Sequence, residues 1–126
     1  MPATITFDSD VRAVISVSGP EVTRDSMSDA IRVIISQLAA NDSNRLIVDM
    51  SRSDIAVPVE STTIILDRLL NAVHSSLIVA IIVNDNQAAH FDHVADYLGA
   101  GMVEVERFAT LDAARDWLAG DRGNAA

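Results

Sequence analysis

Two short apolar runs constrain the fold of this chain more than any other feature. Residues 45–50 read RLIVDM and residues 77–83 read LIVAIIV. Each has the length of a strand rather than a helix, and the apolar residues do not alternate with polar ones. Strands of this kind sit inside a sheet, covered on both faces and flanked by parallel neighbours. A polar segment follows each run, and then apolar residues recur at helical spacing. After the first, Leu66, Leu69, Leu70 and Val73 mark one stripe; after the second, Phe91, Val94, Ala95 and Leu98 mark another, with Gly99 as the expected stop. Strand, turn and helix in alternation imply a parallel sheet with right-handed crossovers.

The flanking segments extend the pattern. Residues 4–7 and 11–18 carry β-branched residues around the turn-forming Asp8-Ser9-Asp10, which predicts an antiparallel hairpin closed by Gly19-Pro20. Thr23 reads as the N-cap of a helix, with Asp25 in its first turn and Met27, Ala30, Ile31, Ile34, Ile35 and Leu38 on its inner face up to Asn41-Asp42. Residues 102–108 alternate Val103 and Val105 with Glu104 and Glu106, the pattern of a half-exposed edge strand. Thr110 then caps a last helix through Ala119 that buries Leu111, Ala114, Trp117 and Leu118. The expected fold is α/β: a single mixed, mostly parallel sheet of four to five strands with an antiparallel N-terminal hairpin and four helices. Residues 1–119 form the domain and residues 120–126 a flexible tail.

Composition fits this picture and removes several functions. The chain has 126 residues, 49% of them hydrophobic, enough for one domain with a proper core. Its longest unbroken apolar run, residues 77–83, is far short of the roughly 20 residues of a membrane span. No basic segment precedes an apolar one near the N-terminus, so a cytoplasmic location is expected. With no cysteine there is no disulfide, thiolate nucleophile or cysteine metal site. All nine basic residues are arginine. The lack of lysine excludes Schiff-base chemistry and the P-loop phosphate clamp. A net charge of −9 argues against nucleic acid and against anionic membrane surfaces.

Residues with chemical potential cluster at the carboxyl ends of the interior strands, the edge where open α/β sheets bind ligands. Asp49 and Ser51 follow one strand, Asn84 and Asp85 the next; turn formation and capping are the ordinary roles of such residues. A phosphoacceptor aspartate of the response-regulator type fits poorly, because that family also relies on a lysine. His90 and His93 lie three apart beside an apolar stripe, with Asp92 and Asp96 nearby and His74 distant in sequence. Their spacing reads as a solvated helix face before it reads as a metal site, and no GxSxG elbow marks a serine nucleophile. From Ser51 to Thr63 the chain is rich in hydroxyls: Ser51, Ser53, Ser61, Thr62 and Thr63. Hydroxyls at a helix start cap it, and the same position accommodates a phosphate.

The segments RLIVDMS and VESTTIILDRLL resemble the core of STAS domains, and VISVSGPEVTRDSM with VERFATLDAARDWLA resembles the SpoIIAA-like branch of that superfamily. The likeness follows element order along nearly the whole chain and rests on few marks: Gly19, Asp49, Phe108, Ala114, Trp117 and Leu118. It implies a mixed sheet with packed helices and a non-enzymatic role as an anti-sigma factor antagonist-like module. In that family a serine in an Asp-Ser-Ser-Gly motif at the start of the second helix is phosphorylated by a partner kinase. Here the matching stretch is Pro58-Val59-Glu60-Ser61-Thr62, which places Glu60 near the switch serine's position and leaves Ser61 as the phosphoacceptor candidate, one residue off.

The resulting expectation is a regulatory module, without cofactor or metal, that docks onto a protein such as a regulatory kinase or an anti-sigma-like factor. The docking surface would comprise Asp49, Ser51, Arg52, Ser53, Glu60, Ser61 and Thr62, with Arg52 and Arg68 helping to set register. The alternative is a carrier of a small apolar ligand or lipid, of SpoIIAA-like or SEC14-like type, which requires a pocket between sheet and helices. An enzyme would need Asp49, Asp85 and a histidine to converge. Homodimerisation through residues 102–108 or through an exposed helix is a further expectation.

Overall fold

A computed structural model describes residues 3–73, 77–100 and 103–122. Five strands, β1 (Thr4–Asp8), β2 (Ala13–Val17), β4 (Arg45–Asp49), β6 (Ile78–Ile82) and β7 (Glu104–Phe108), form one sheet in the order β1-β2-β4-β6-β7. The β1–β2 hairpin is antiparallel and every other pairing is parallel, as the sequence pattern implied. Two further strands are only two residues long. They are β3 (Glu21–Val22) and β5 (Asp54–Ile55), which pair in parallel beside the carboxyl edge of the main sheet.

The sheet is covered unequally. Helices α1 (Arg24–Ala40), α2 (Val59–Ala72) and α3 (Ala88–Ala100) pack over the face that presents Val14, Leu46, Val79 and Ile81. Helix α4 (Leu111–Trp117), continued by a π-helical turn from Leu118 to Arg122, lies on the opposite face against Ala13, Ile15, Ile47, Ala80 and Ile82. The two apolar runs face both layers, which is why they carry no alternation. Arg115 ties α4 to the hairpin through Asp8 at 2.9 Å and Asp10 at 3.7 Å.

The helix ends follow their local chemistry. Thr23 caps α1: its Oγ1 accepts from the Ser26 backbone N–H at 3.2 Å while Ser26 Oγ accepts from the Thr23 N–H at 2.9 Å, a reciprocal capping box. Thr110 caps α4 by accepting from the Ala113 N–H. The hairpin turn places Arg12 at φ +54°, a conformation few side chains favour. It is held there by its guanidinium, which donates to Asn41 O at 3.0 Å, and by Ser43 Oγ, which donates to Arg12 O at 2.6 Å.

One expectation fails locally and a second is extended. Gly99 does not stop the third helix; it is an exposed residue inside α3, and helical backbone continues to Ala100. The inner stripe of α2 starts one turn earlier than expected: Thr62 and Ile65 are buried with Leu66 and Leu69, and Leu70 and Val73 pack partly buried against the same core. His74, Met102 and most of the tail, residues 123–126, lie outside the described residues.

Candidate functional site

The carboxyl edge of the sheet is organised by one side chain. Gln87, 7% exposed, closes the short 3₁₀ turn before α3 (Asp85–Gln87). Its Nε2 donates to Met50 O at 2.6 Å and to Ser53 O at 2.8 Å, and its Oε1 accepts from the Asn84 N–H at 2.9 Å. Asn84 Nδ2 adds a bond to Ser51 O at 2.7 Å. The loop after β4 is thus bonded to the turn after β6, and Ser53 Oγ fastens it to Gly19 O at 2.6 Å. Four of these bonds end on backbone carbonyls of the loops, those of Gly19, Met50, Ser51 and Ser53, so hydrogen bonding ties the edge together.

Below this edge, between the sheet and α1–α3, lies a cavity of about 80 Å³. Its floor is aliphatic: Leu46 and Val79 from the strands, Ile34, Leu69, Val94 and Leu98 from the helices. Its polar groups are Ser16 and Ser18 at the end of β2, Ser26 in the first turn of α1, Thr62 in the first turn of α2 and His90 in the first turn of α3. All of them come from the carboxyl-edge end of their elements, so the cavity is polar towards that edge and apolar away from it. Ser16 is 2% exposed and Thr62 1% exposed.

His90 stands between this cavity and a shallow surface groove lined by Arg52, Asp54, Asn86 and Gln87. Its Nε2 is shut off from solvent and has no hydrogen-bond partner among the described residues. Burial, with a smaller contribution from His93, lowers its pKa from 6.5, so the ring is neutral at pH 7. On the outer side of the same helix, His93 Nε2 lies 3.3 Å from Thr63 Oγ1, and the Tyr97 hydroxyl donates to Asp67 at 3.0 Å. These bonds join α3 to α2, and the shared proton with Asp67 raises the Tyr97 pKa.

The residues singled out in the sequence are distributed over this frame. Asp49 Oδ1 accepts from both the Ser51 N–H (3.0 Å) and the Ser51 Oγ (2.7 Å), so these two side chains satisfy each other at the end of β4. Ser53, 8% exposed, and Thr62 are turned inward, and the Thr62 Oγ1 donates to Pro58 O at 3.2 Å. Neither presents its hydroxyl to a partner's surface. Arg52 and Glu60 are exposed and form no ion pair among the described residues. Ser61 is half-buried in the first turn of α2, a helix whose N-cap, Pro58, supplies no side-chain acceptor. Arg68 donates to Ser28 Oγ at 2.7 Å, joining α2 to α1.

Asp85 pairs with Arg107 at 3.2 Å and Asp49 is committed to Ser51, so the aspartates and a histidine do not form one hydrogen-bonded group. Among the described residues, no group of three or more His, Asp or Glu is placed to hold a metal ion. Nor is any described helix long and apolar enough to cross a membrane.

Sequence reasoning missed Gln87 and the inward role of His90, though signals for both existed. Asn84-x-x-Gln87 is a capping-box spacing, and His90 precedes Val94 and Leu98 at intervals of four, on the buried line of α3.

No protein-family model matches the sequence, and no curated protein matches it. Among solved structures, a DUF3478-family protein with a SpoIIAA-like fold from Shewanella loihica PV-4 is similar. It superposes with a TM-score of 0.64 at 18% sequence identity, over 92% of this chain and 91% of that one. An antiparallel first hairpin, a parallel remainder of the sheet and agreement over nearly the whole of both chains lead to one conclusion. The chain has a SpoIIAA-like fold.

Proposed function

We propose that this domain is a non-enzymatic binding module for a small apolar ligand, held in the cavity between the sheet and helices α1–α3. The cavity carries the proposal. Protein interiors leave few voids larger than a water molecule, whose share of liquid volume is about 30 Å³. A space of about 80 Å³ is well beyond that, and its aliphatic floor offers water few partners. Its polar end lies towards the edge at which open α/β sheets take ligands. The test is methyl NMR under xenon pressure. Saturable shifts confined to Leu69, Val79, Val94 and Leu98 are expected; shifts spread evenly over surface methyls contradict the proposal.

A second reading rests on a separate observation. Arg52 is exposed and has no ion-pair partner among the described residues, on a loop that Gln87 and Asn84 tie down, in a chain of net charge −9. A pre-ordered loop with an exposed cation suits docking onto a protein, because little entropy is lost on binding. With Arg52, the exposed Glu60 and half-buried Ser61 would complete the contact. Glu60→Arg and Ser61→Ala should then weaken partner capture while leaving the melting temperature unchanged. Equal capture by both variants excludes this surface.

A further inference from the structure

Resting on the ligand-binding reading above, we propose that the occupant of the cavity is a short, uncharged molecule with one oxygen function. Its carbon end would lie on the aliphatic floor and its oxygen would bond at the His90 end. Size sets the first limit. A cavity of about 150 Å³ accepts benzene, so about 80 Å³ accepts roughly three to four non-hydrogen atoms. That is the scale of ethanol, propan-2-ol or acetone, not of a long acyl chain.

Charge sets the second limit. Among the described residues, none that lines the cavity carries a formal charge; its polar members are four hydroxyl side chains and a neutral imidazole. A carboxylate or an ammonium would enter without a counter-ion, which low-dielectric surroundings penalise heavily. A neutral oxygen faces no such penalty.

Orphaned polarity supplies the third limit. The His90 Nε2 is buried with no hydrogen-bond partner among the described residues, an uncommon and unfavourable state for a native protein. Thr62 donates its hydroxyl proton to Pro58 O and keeps its lone pairs as acceptors, while Ser16 is buried at the end of β2. A small turn of the His90 ring lets a ligand hydroxyl or carbonyl complete its hydrogen bonding, because imidazole offers a donor in one tautomer and an acceptor in the other. A pure hydrocarbon would fill the same space and leave the nitrogen unpaired.

The experiment compares cyclopropane, propan-2-ol, acetone, acetate and ethylammonium by methyl and imidazole NMR titration of the full chain at pH 7.5. The two neutral oxygenated probes are expected to shift the Leu69, Val79 and Val94 methyls and the His90 ring, and to bind about three- to tenfold more tightly than cyclopropane, the span of one neutral hydrogen bond. The two ions should cause no saturable shift. In His90→Leu the preference for oxygen should vanish while cyclopropane still binds. If cyclopropane binds as tightly as the oxygenated probes, or acetate binds as well as propan-2-ol, the polar-head assignment is wrong and the cavity reading stands. If no probe enters, cyclopropane included, both are wrong.

Discussion

Filling the cavity with carbon should stabilise the protein and abolish its binding. Val79 on β6 and Val94 on α3 both line the space, and both are almost fully buried. The double substitution Val79→Ile and Val94→Leu adds one methylene at each site. Each newly buried methylene contributes about 0.8 kcal/mol. An independent ceiling comes from the void itself: about 80 Å³, at about 24 cal/mol per Å³, corresponds to about 2 kcal/mol. Imperfect shape matching takes back part of this, so a gain of about 1 kcal/mol is expected, read as a melting temperature higher by about 4 °C. Urea denaturation should show a raised midpoint with an unchanged slope. The same variant should lose the xenon-induced methyl shifts. The sign of the change is decisive, because adding methylenes to a core without free space costs about 1–3 kcal/mol. A destabilised double variant would mean that the space does not exist as room for carbon.

Other expectations follow from single groups. Gln87→Leu leaves Ser53 O and the Asn84 N–H without their partner, which should cost about 2–3 kcal/mol and raise amide exchange from Ser51 to Ser53 above the global rate. Gly99→Ala should stabilise by about 0.5–1 kcal/mol in thermal denaturation, since Gly99 lies inside α3 with open space where a Cβ would stand. Thr23→Ala removes the α1 cap and should cost about 1 kcal/mol by the same measurement. His90 gives a pH dependence of definite sign. Its folded pKa is lowered from 6.5, so the unfolded chain binds this proton more readily; its contribution is complete above that value and is lost as pH falls below it. Melting temperatures between pH 5 and 8 should therefore show a steeper acid limb for the native protein than for His90→Leu.

Much of the fold was legible because the two interior strands announce themselves by short apolar runs without alternation and the helices by their stripes. Residues 21–22 and 54–55 were not legible as strands, since two residues carry no periodicity and their pairing depends on where the surrounding loops bring them. Gly99 misled because glycine near a helix end is commonly its stop, and here tertiary packing of Val94 and Leu98 carries the helix past it. Thr62 misled in the opposite way. Its hydroxyl suggested a surface role, yet it stands three and four residues before Ile65 and Leu66 on the buried line of α2. The cavity could not be seen in the sequence at all. Spacing shows which residues face inward but not whether their volumes fill the space between sheet and helices.

The central claim, that a ligand-sized apolar space lies under the carboxyl edge, is tested most directly by a crystal structure determined under xenon pressure. One anomalous peak is expected within van der Waals distance of Leu69, Val79 and Leu98, with the surrounding side chains unmoved. A structure in which those side chains close the gap, or in which the space holds ordered waters and excludes xenon, would contradict it.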